Sequence, residues 1–182
     1  MLLVVGGIAA VLLVVAGVLA LLGQGSPASG PPPPNTLVGT NLSTLPPLRP
    51  PLERVGRPGA LPRRFWAPHG AVLLFFAQWC TACHHEVSSL ARSLGRGDVS
   101  GVHVIGVDGD QSGSVAAGFV TAHHVRFPTF HDGTLELAGA LVPTGFPAAV
   151  FVKSNGKVVD VQYGALSLLQ LDAGLSKIGK PS

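Results

Sequence analysis

Trp79-Cys80-Thr81-Ala82-Cys83 is the stretch that decides how the chain is read. It holds the only two cysteines among 182 residues, just after the apolar run Ala71-Val72-Leu73-Leu74-Phe75-Phe76-Ala77. Beyond it Val87, Leu90, Ala91 and Leu94 recur at the steps of one helix face, and Gly95 supplies a stop. The pattern predicts strand, Cys-x-x-Cys, helix. Cys80 then sits at a helix N-terminus, where unpaired backbone N–H groups and the helix dipole favour an anion. A thiolate forms there at lower pH than an ordinary thiol, which makes Cys80 the nucleophile. Cys83, about one turn further in and less exposed, is close enough to close a disulfide with it.

Other uses of two cysteines fit less well. Two unrelated buried thiols would rarely fall at this spacing after a strand. Half of a zinc site needs two more ligands at ligand spacing, and the chain has no second Cys-x-x-Cys. A structural bridge between such near neighbours would constrain little chain. Redox use remains.

From these residues outward the chain resembles the membrane-anchored thioredoxin-like proteins of the TlpA/ResA/DsbE type, over roughly residues 70 to 178. The resemblance rests on Phe76 to Glu86, Val104-Ile105-Gly106-Val107-Asp108, Phe127-Pro128-Thr129-Phe130 and Gly145-Phe146-Pro147 running into Ala148-Ala149-Val150-Phe151-Val152. It implies an α/β thioredoxin-like fold, a mixed central sheet flanked by helices. It also implies a domain facing outside the cytoplasm, with apocytochrome c maturation as the best-known task. Glu86 stands three residues after Cys83, on the same helix face. By resemblance it takes the acid–base role for Cys83, with a pKa that rises if it is buried. Thioredoxins proper carry a buried Asp where this chain has Leu74, and the family's proline after the Glu is here Ser88. Pro147 aligns with the proline that is cis throughout the fold, so Phe146 is expected to face the substrate. Trp79 is expected to flank the cysteines as an exposed aromatic. No cofactor is expected beyond a redox-active Cys80–Cys83 disulfide.

The bulk composition fits a tethered domain. Only 12% of residues are charged, 16 are proline and the net charge is +3. Arg and Lys are scattered, with no basic patch interleaved with aromatics, which argues against nucleic acid as a partner. Residues 1–22 carry no charged side chain. As a helix they would span about 33 Å, against about 30 Å of bilayer hydrocarbon. A cleaved signal peptide would have a basic first segment and a shorter apolar run. The expectation is a single-pass anchor with the catalytic domain outside the cytoplasm. Residues 23–57 read as a Pro-rich flexible linker, spanning between roughly 30 and 100 Å. Residues 58–182 read as the thioredoxin-like domain. The family's opening β-hairpin, entered through Ala-Pro-x-Phe, has no visible counterpart over residues 58–70.

From Ala71 the pattern reads βαβαββα. Val102–Val107 is a buried strand, and Ser114–His123 a helix with Val115, Ala116, Phe119 and Val120 as its apolar face. Asp108-Gly109-Asp110-Gln111-Ser112-Gly113 departs from a calcium loop, having Phe119 where a Glu is needed, and reads as a strand-to-helix turn. Leu135–Leu141 is a short helix. Ala148–Val152 and Val158–Tyr163 form a hairpin through Asn155-Gly156. Ser167 and Gln170 make a capping box, with Leu168, Leu171, Leu175 and Ile178 as one stripe. The histidine pairs His84-His85 and His123-His124 read as solvated helix residues.

The expectation is therefore a membrane-tethered thiol–disulfide oxidoreductase, and the resemblance implies that it reduces client protein disulfides and is recharged by a membrane thiol–disulfide donor. A disulfide-forming oxidase is the nearest alternative, because Thr81-Ala82 fixes no direction of electron flow. A copper or haem chaperone using Cys80, Cys83 and His84 is an alternative of another class. A peroxiredoxin-type peroxidase needs a Thr where this chain has Ala77.

Overall fold

The computed structural model describes residues 37–45, 47–95, 98–99 and 101–179, without the side chain of Asp98. The anchor expected over residues 1–22 and the start of the linker lie outside the described residues. Among the described residues no helix is long and apolar enough to cross a membrane.

The strand before the cysteines is the centre of the fold. Strand β2 (Ala71–Phe76) is buried along its whole length, as a run with no polar residue demands. It pairs in parallel with β4 (Val102–Asp108) and antiparallel with β6 (Ala148–Val152). Including β1 (Glu53–Arg54), β3 (Asp98–Val99), β5 (Thr129–His131) and β7 (Val158–Tyr163), the sheet runs β1-β5-β4-β2-β6-β7, with β3 on the start of β4. Helix α1 (Thr81–Leu94) carries the chain from β2 to β4, and α2 (Gly113–Ala122) carries it from β4 to parallel β5. The short α3 (Glu136–Leu141) precedes β6, and α4 (Leu168–Ile178) follows β7.

Alternation along β2 divides the core in two. Val72, Leu74 and Phe76 pack with Val87, Leu90 and Leu94 of α1, Phe119 of α2 and Leu171 and Ile178 of α4. Leu73 and Phe75 face the other way, against Leu137 and Leu141 of α3. That second face is completed by Leu42, Leu52, Leu61 and Trp66.

This corrects the boundary expected at residue 57, because the packed fold begins earlier. Gly39 and Leu42 donate backbone hydrogen bonds to Val158 and Gly156, and Val158 donates to Thr40, so this segment lines the outer edge of β7. Leu52 is as buried as the strands. A hairpin opens the domain after all, over residues 52–61: Leu61 N–H bonds Leu52 O at 2.9 Å, Arg54 N–H bonds Gly59 O at 2.7 Å, and Glu53 bridges Ala60. The proline-rich composition that suggested a coil leaves enough leucines between the prolines to cover a sheet face.

The β6–β7 turn forms at Asn155-Gly156 as expected. Gly156 has φ +88°, and any Cβ there would press on Asn41 and Trp66. Strands β3 and β5, two and three residues long, were invisible to a periodicity reading. Two predicted faces need correction. Val115 and Leu168 are exposed, while Ala116, Phe119, Leu171 and Ile178 are buried and Leu175 is partly so. Both outliers lie in the first turn of their helices, where the chain has yet to settle onto the sheet.

Candidate redox site

Cys80 is the N-cap residue of α1, in an extended conformation, and its sulfur accepts the Cys83 N–H at 3.2 Å. The two sulfurs are bonded, with Cα atoms 5.3 Å apart. Cys80 retains 7% exposure and Cys83 none, so only the first sulfur offers an approach from solvent. Neighbouring side chains close in around the pair. Trp79 is 57% exposed; its ring stacks on Phe146 at 5.4 Å and 23°, and its Nε1–H points to Gly109 O at 3.4 Å. The Phe146–Pro147 peptide is cis, with Pro147 buried and Phe146 half-buried between Trp79 and Phe75.

Glu86 is not a solvated helix residue. It lies buried one turn beyond Cys83, and its Oε1 accepts the Leu166 N–H at 2.8 Å. Its Oε2 is buried with no hydrogen-bond partner among the described residues. Burial pushes its pKa up to about 7, against the lowering effect of the Leu166 N–H. A carboxyl so placed can give and take a proton near neutrality.

The histidines depart from expectation, because one member of each pair turns inward between α1 and α2. His84 Nε2 lies 2.7 Å from Gln78 O, His84 Nδ1 lies 3.2 Å from His123 Nε2, and His123 Nδ1 lies 2.7 Å from Ser88 Oγ. Neutral tautomers satisfy the whole series, with Ser88 donating to His123, His123 to His84 and His84 to the loop carbonyl. Burial, then the charges His84 and His124 would carry, lower the His123 pKa. His85 and His124 stay exposed. Among the described residues no three His, Cys, Asp or Glu side chains group as a metal set.

The turn after β4 contributes more than the sequence revealed. Both Asp110 carboxylate oxygens lie 3.0 Å from the Gln78 N–H, holding the loop two residues before Cys80. Asp108 is fully buried; its Oδ2 accepts from Asp110 N–H and meets His131 Nδ1, each at 3.1 Å. Burial, then the Asp110 carboxylate beside it, raise its pKa to about 8. A neutral Asp108 makes the His131 contact a hydrogen bond rather than an ion pair. Gly109 lies between them, and a Cβ there would strike the Phe146 ring and come within 2.8 Å of Leu135 Cδ2. The available signal was position: acidic residues at the carboxyl end of a parallel strand beside the one that delivers the cysteines.

The AhpC/TSA family pattern matches residues 64–161, more than half of the chain. The thiol-disulfide oxidoreductase ResA of Oceanobacillus iheyensis is 28% identical over 109 residues, which is 60% of this chain and 57% of that protein. The chain therefore spans less than two thirds of that curated relative. MTB dsbF, solved in mixed oxidised and reduced forms, superposes with a TM-score of 0.59 at 25% identity, over 70% of this chain and 93% of the other. A putative thiol:disulfide interchange protein DsbE from Chlorobium tepidum shares the fold at a TM-score of 0.63 and 19% identity, over 78% and 98% of the two chains.

Proposed function

Because the chain belongs to the AhpC/TSA family of thioredoxin-like proteins, we propose that it is a thiol–disulfide oxidoreductase that reduces disulfides of client proteins through Cys80 and Cys83. The observation that carries this reading is the Cys80–Cys83 bond at the start of α1, with Cys80 the more exposed of the two and Glu86 buried one turn beyond Cys83. In the reduced protein the Cys80 thiolate attacks a client disulfide. A Cys80–client bond forms, the client bond breaks, and one client thiolate leaves. Glu86 takes the Cys83 proton, and the Cys83 thiolate attacks Cys80 Sγ. The internal disulfide forms, the second client thiolate leaves, and two electrons have passed to the client. Both client thiolates take protons from solvent. A dithiol donor then reduces the pair by the reverse steps.

Trp79 and Phe146, the latter set by its cis bond to buried Pro147, form the surface that receives the client segment. The apolar segment over residues 1–22 would tether the domain to a membrane on its extracytoplasmic side, where a membrane thiol–disulfide donor supplies electrons. The family resemblance of the motifs around Cys80 and Pro147 favours clients of the apocytochrome c kind. Peroxidase chemistry is disfavoured by the methyl group of Ala77, buried three residues before Cys80, where a hydroxyl would be required.

The test is the reduction potential of the Cys80–Cys83 pair, measured with its trapped redox state in cells. A potential near that of thioredoxin, about −270 mV, with a mostly reduced pool is expected. A potential near −120 mV, that of the strong oxidant DsbA, with an oxidised pool would instead make the protein an oxidase.

A further inference from the structure

Leu135 occupies a conformation that costs free energy, and its side chain gains only partial burial inside the fold. Its backbone is left-handed, φ +55° and ψ +27°, in the position preceding α3, and its side chain is 42% exposed. A Cβ makes this region unfavourable, and glycine or asparagine takes it up at little cost. The surroundings over-determine the strain. Leu135 N–H bonds Asp132 O at 2.9 Å, Gly139 N–H bonds Leu135 O at 2.8 Å, and the buried Asp132 carboxylate receives the Ala138 N–H at 2.7 Å. Strain maintained in this way tends to mark functional positions.

Its location gives the function a direction. Leu135 Cδ2 and the Phe146 ring converge above Gly109, and Trp79 reaches the Gly109 carbonyl through Nε1 while stacking on Phe146. Leu135 thus extends the exposed surface that begins at Trp79, the residue before Cys80, with a flexible aliphatic group. The nearby acids face elsewhere: Asp108 and Asp110 are buried, and Glu136 accepts the Arg49 N–H at 3.1 Å.

We propose that Leu135 is a specificity-determining residue of the redox site, contacting an apolar side chain that the client carries close to the cysteine Cys80 attacks. This rests on the oxidoreductase reading above and adds a preference to it. Clients with Leu, Phe or Val beside the reactive cysteine exchange faster than clients with an acidic residue there. The preference belongs to the peptide step alone. A disulfide too small to reach Leu135 reacts independently of it.

The experiment uses the reduced full chain in single-turnover exchange with three probes. Two are peptide–glutathione mixed disulfides with Leu or Asp two residues from the cysteine, and the third is hydroxyethyl disulfide. The wild-type chain is expected to favour the Leu peptide about tenfold, the size of effect one apolar contact confers. Leu135→Gly and Leu135→Asn are expected to reduce that ratio to about twofold and leave the hydroxyethyl disulfide rate within twofold of wild type. Their thermal midpoints should equal or exceed that of wild type, because the strain is relieved. A ratio unchanged in both variants overturns the proposal. So does a loss of rate with hydroxyethyl disulfide as large as the loss with the Leu peptide, which would mean that Leu135 supports the cysteines instead. A wild-type chain inert toward hydroxyethyl disulfide removes the oxidoreductase reading itself, and the proposal falls with it.

Discussion

At the residue scale the site separates two tasks that a single thiol could not perform. Cys80 caps α1 and meets the outside, whereas Cys83 is sealed in the core with Glu86 one turn away. In the proposed mechanism the buried Cys83 thiol gives its proton to an internal base rather than to water. Glu86→Gln keeps the acceptor for the Leu166 N–H but removes the basicity. It should slow the attack of Cys83 on the mixed disulfide by roughly a hundredfold. Acid quenching followed by mass spectrometry should then show the Cys80–client adduct accumulating while its formation rate barely changes. A variant that turns over at the wild-type rate would free Glu86 of that role. Asp110 works differently, through the peptide group of Gln78, and no motif in the sequence pointed to it. Ser88, where the related family has proline, supplies the hydroxyl that ends the His84–His123 series.

Among the elements, those with a strong pattern were readable and those that depend on distant partners were not. The strand before the cysteines, the β6–β7 hairpin and the capping box of α4 follow from local signals: an unbroken apolar run, an Asn-Gly pair, and Ser167 with Gln170. Strand β5 has three residues and exists because β4 and β1 flank it. Residues 37–57 fall in the stretch that reads as linker, because across 23–57 nine prolines outnumber five leucines. Yet Leu42 and Leu52 supply one face of the core, a contact with partners about a hundred residues away that no local window contains. Leu52→Ala should therefore destabilise the protein by about 3 kcal/mol in urea unfolding, as a core truncation does. A change under about 0.5 kcal/mol, the size typical of surface sites, would return the segment to the linker.

For the whole molecule, two buried acids tie stability to pH. Glu86 and Asp108 have folded-state pKa values raised to about 7 and about 8, above their ordinary 4.5 and 3.8. The folded state thus holds protons that the unfolded chain releases. Their contribution is fully present below about pH 4 and is lost as pH rises through 7 and 8. Unfolding free energy should fall across that window, by on the order of 3 kcal/mol for Glu86 alone. Glu86→Gln should flatten the dependence between pH 5 and 7, as urea titrations at fixed pH would record. The same architecture places the start of α1 at the carboxyl end of β2, and the account turns on what that placement does to one sulfur. Its most direct test is the rate of alkylation of Cys80 in the reduced protein as a function of pH. The account predicts a midpoint within the range of about 3.5 to 7.5 found for thiols at helix N-termini. A midpoint at about 8.5, that of a free cysteine, would contradict it.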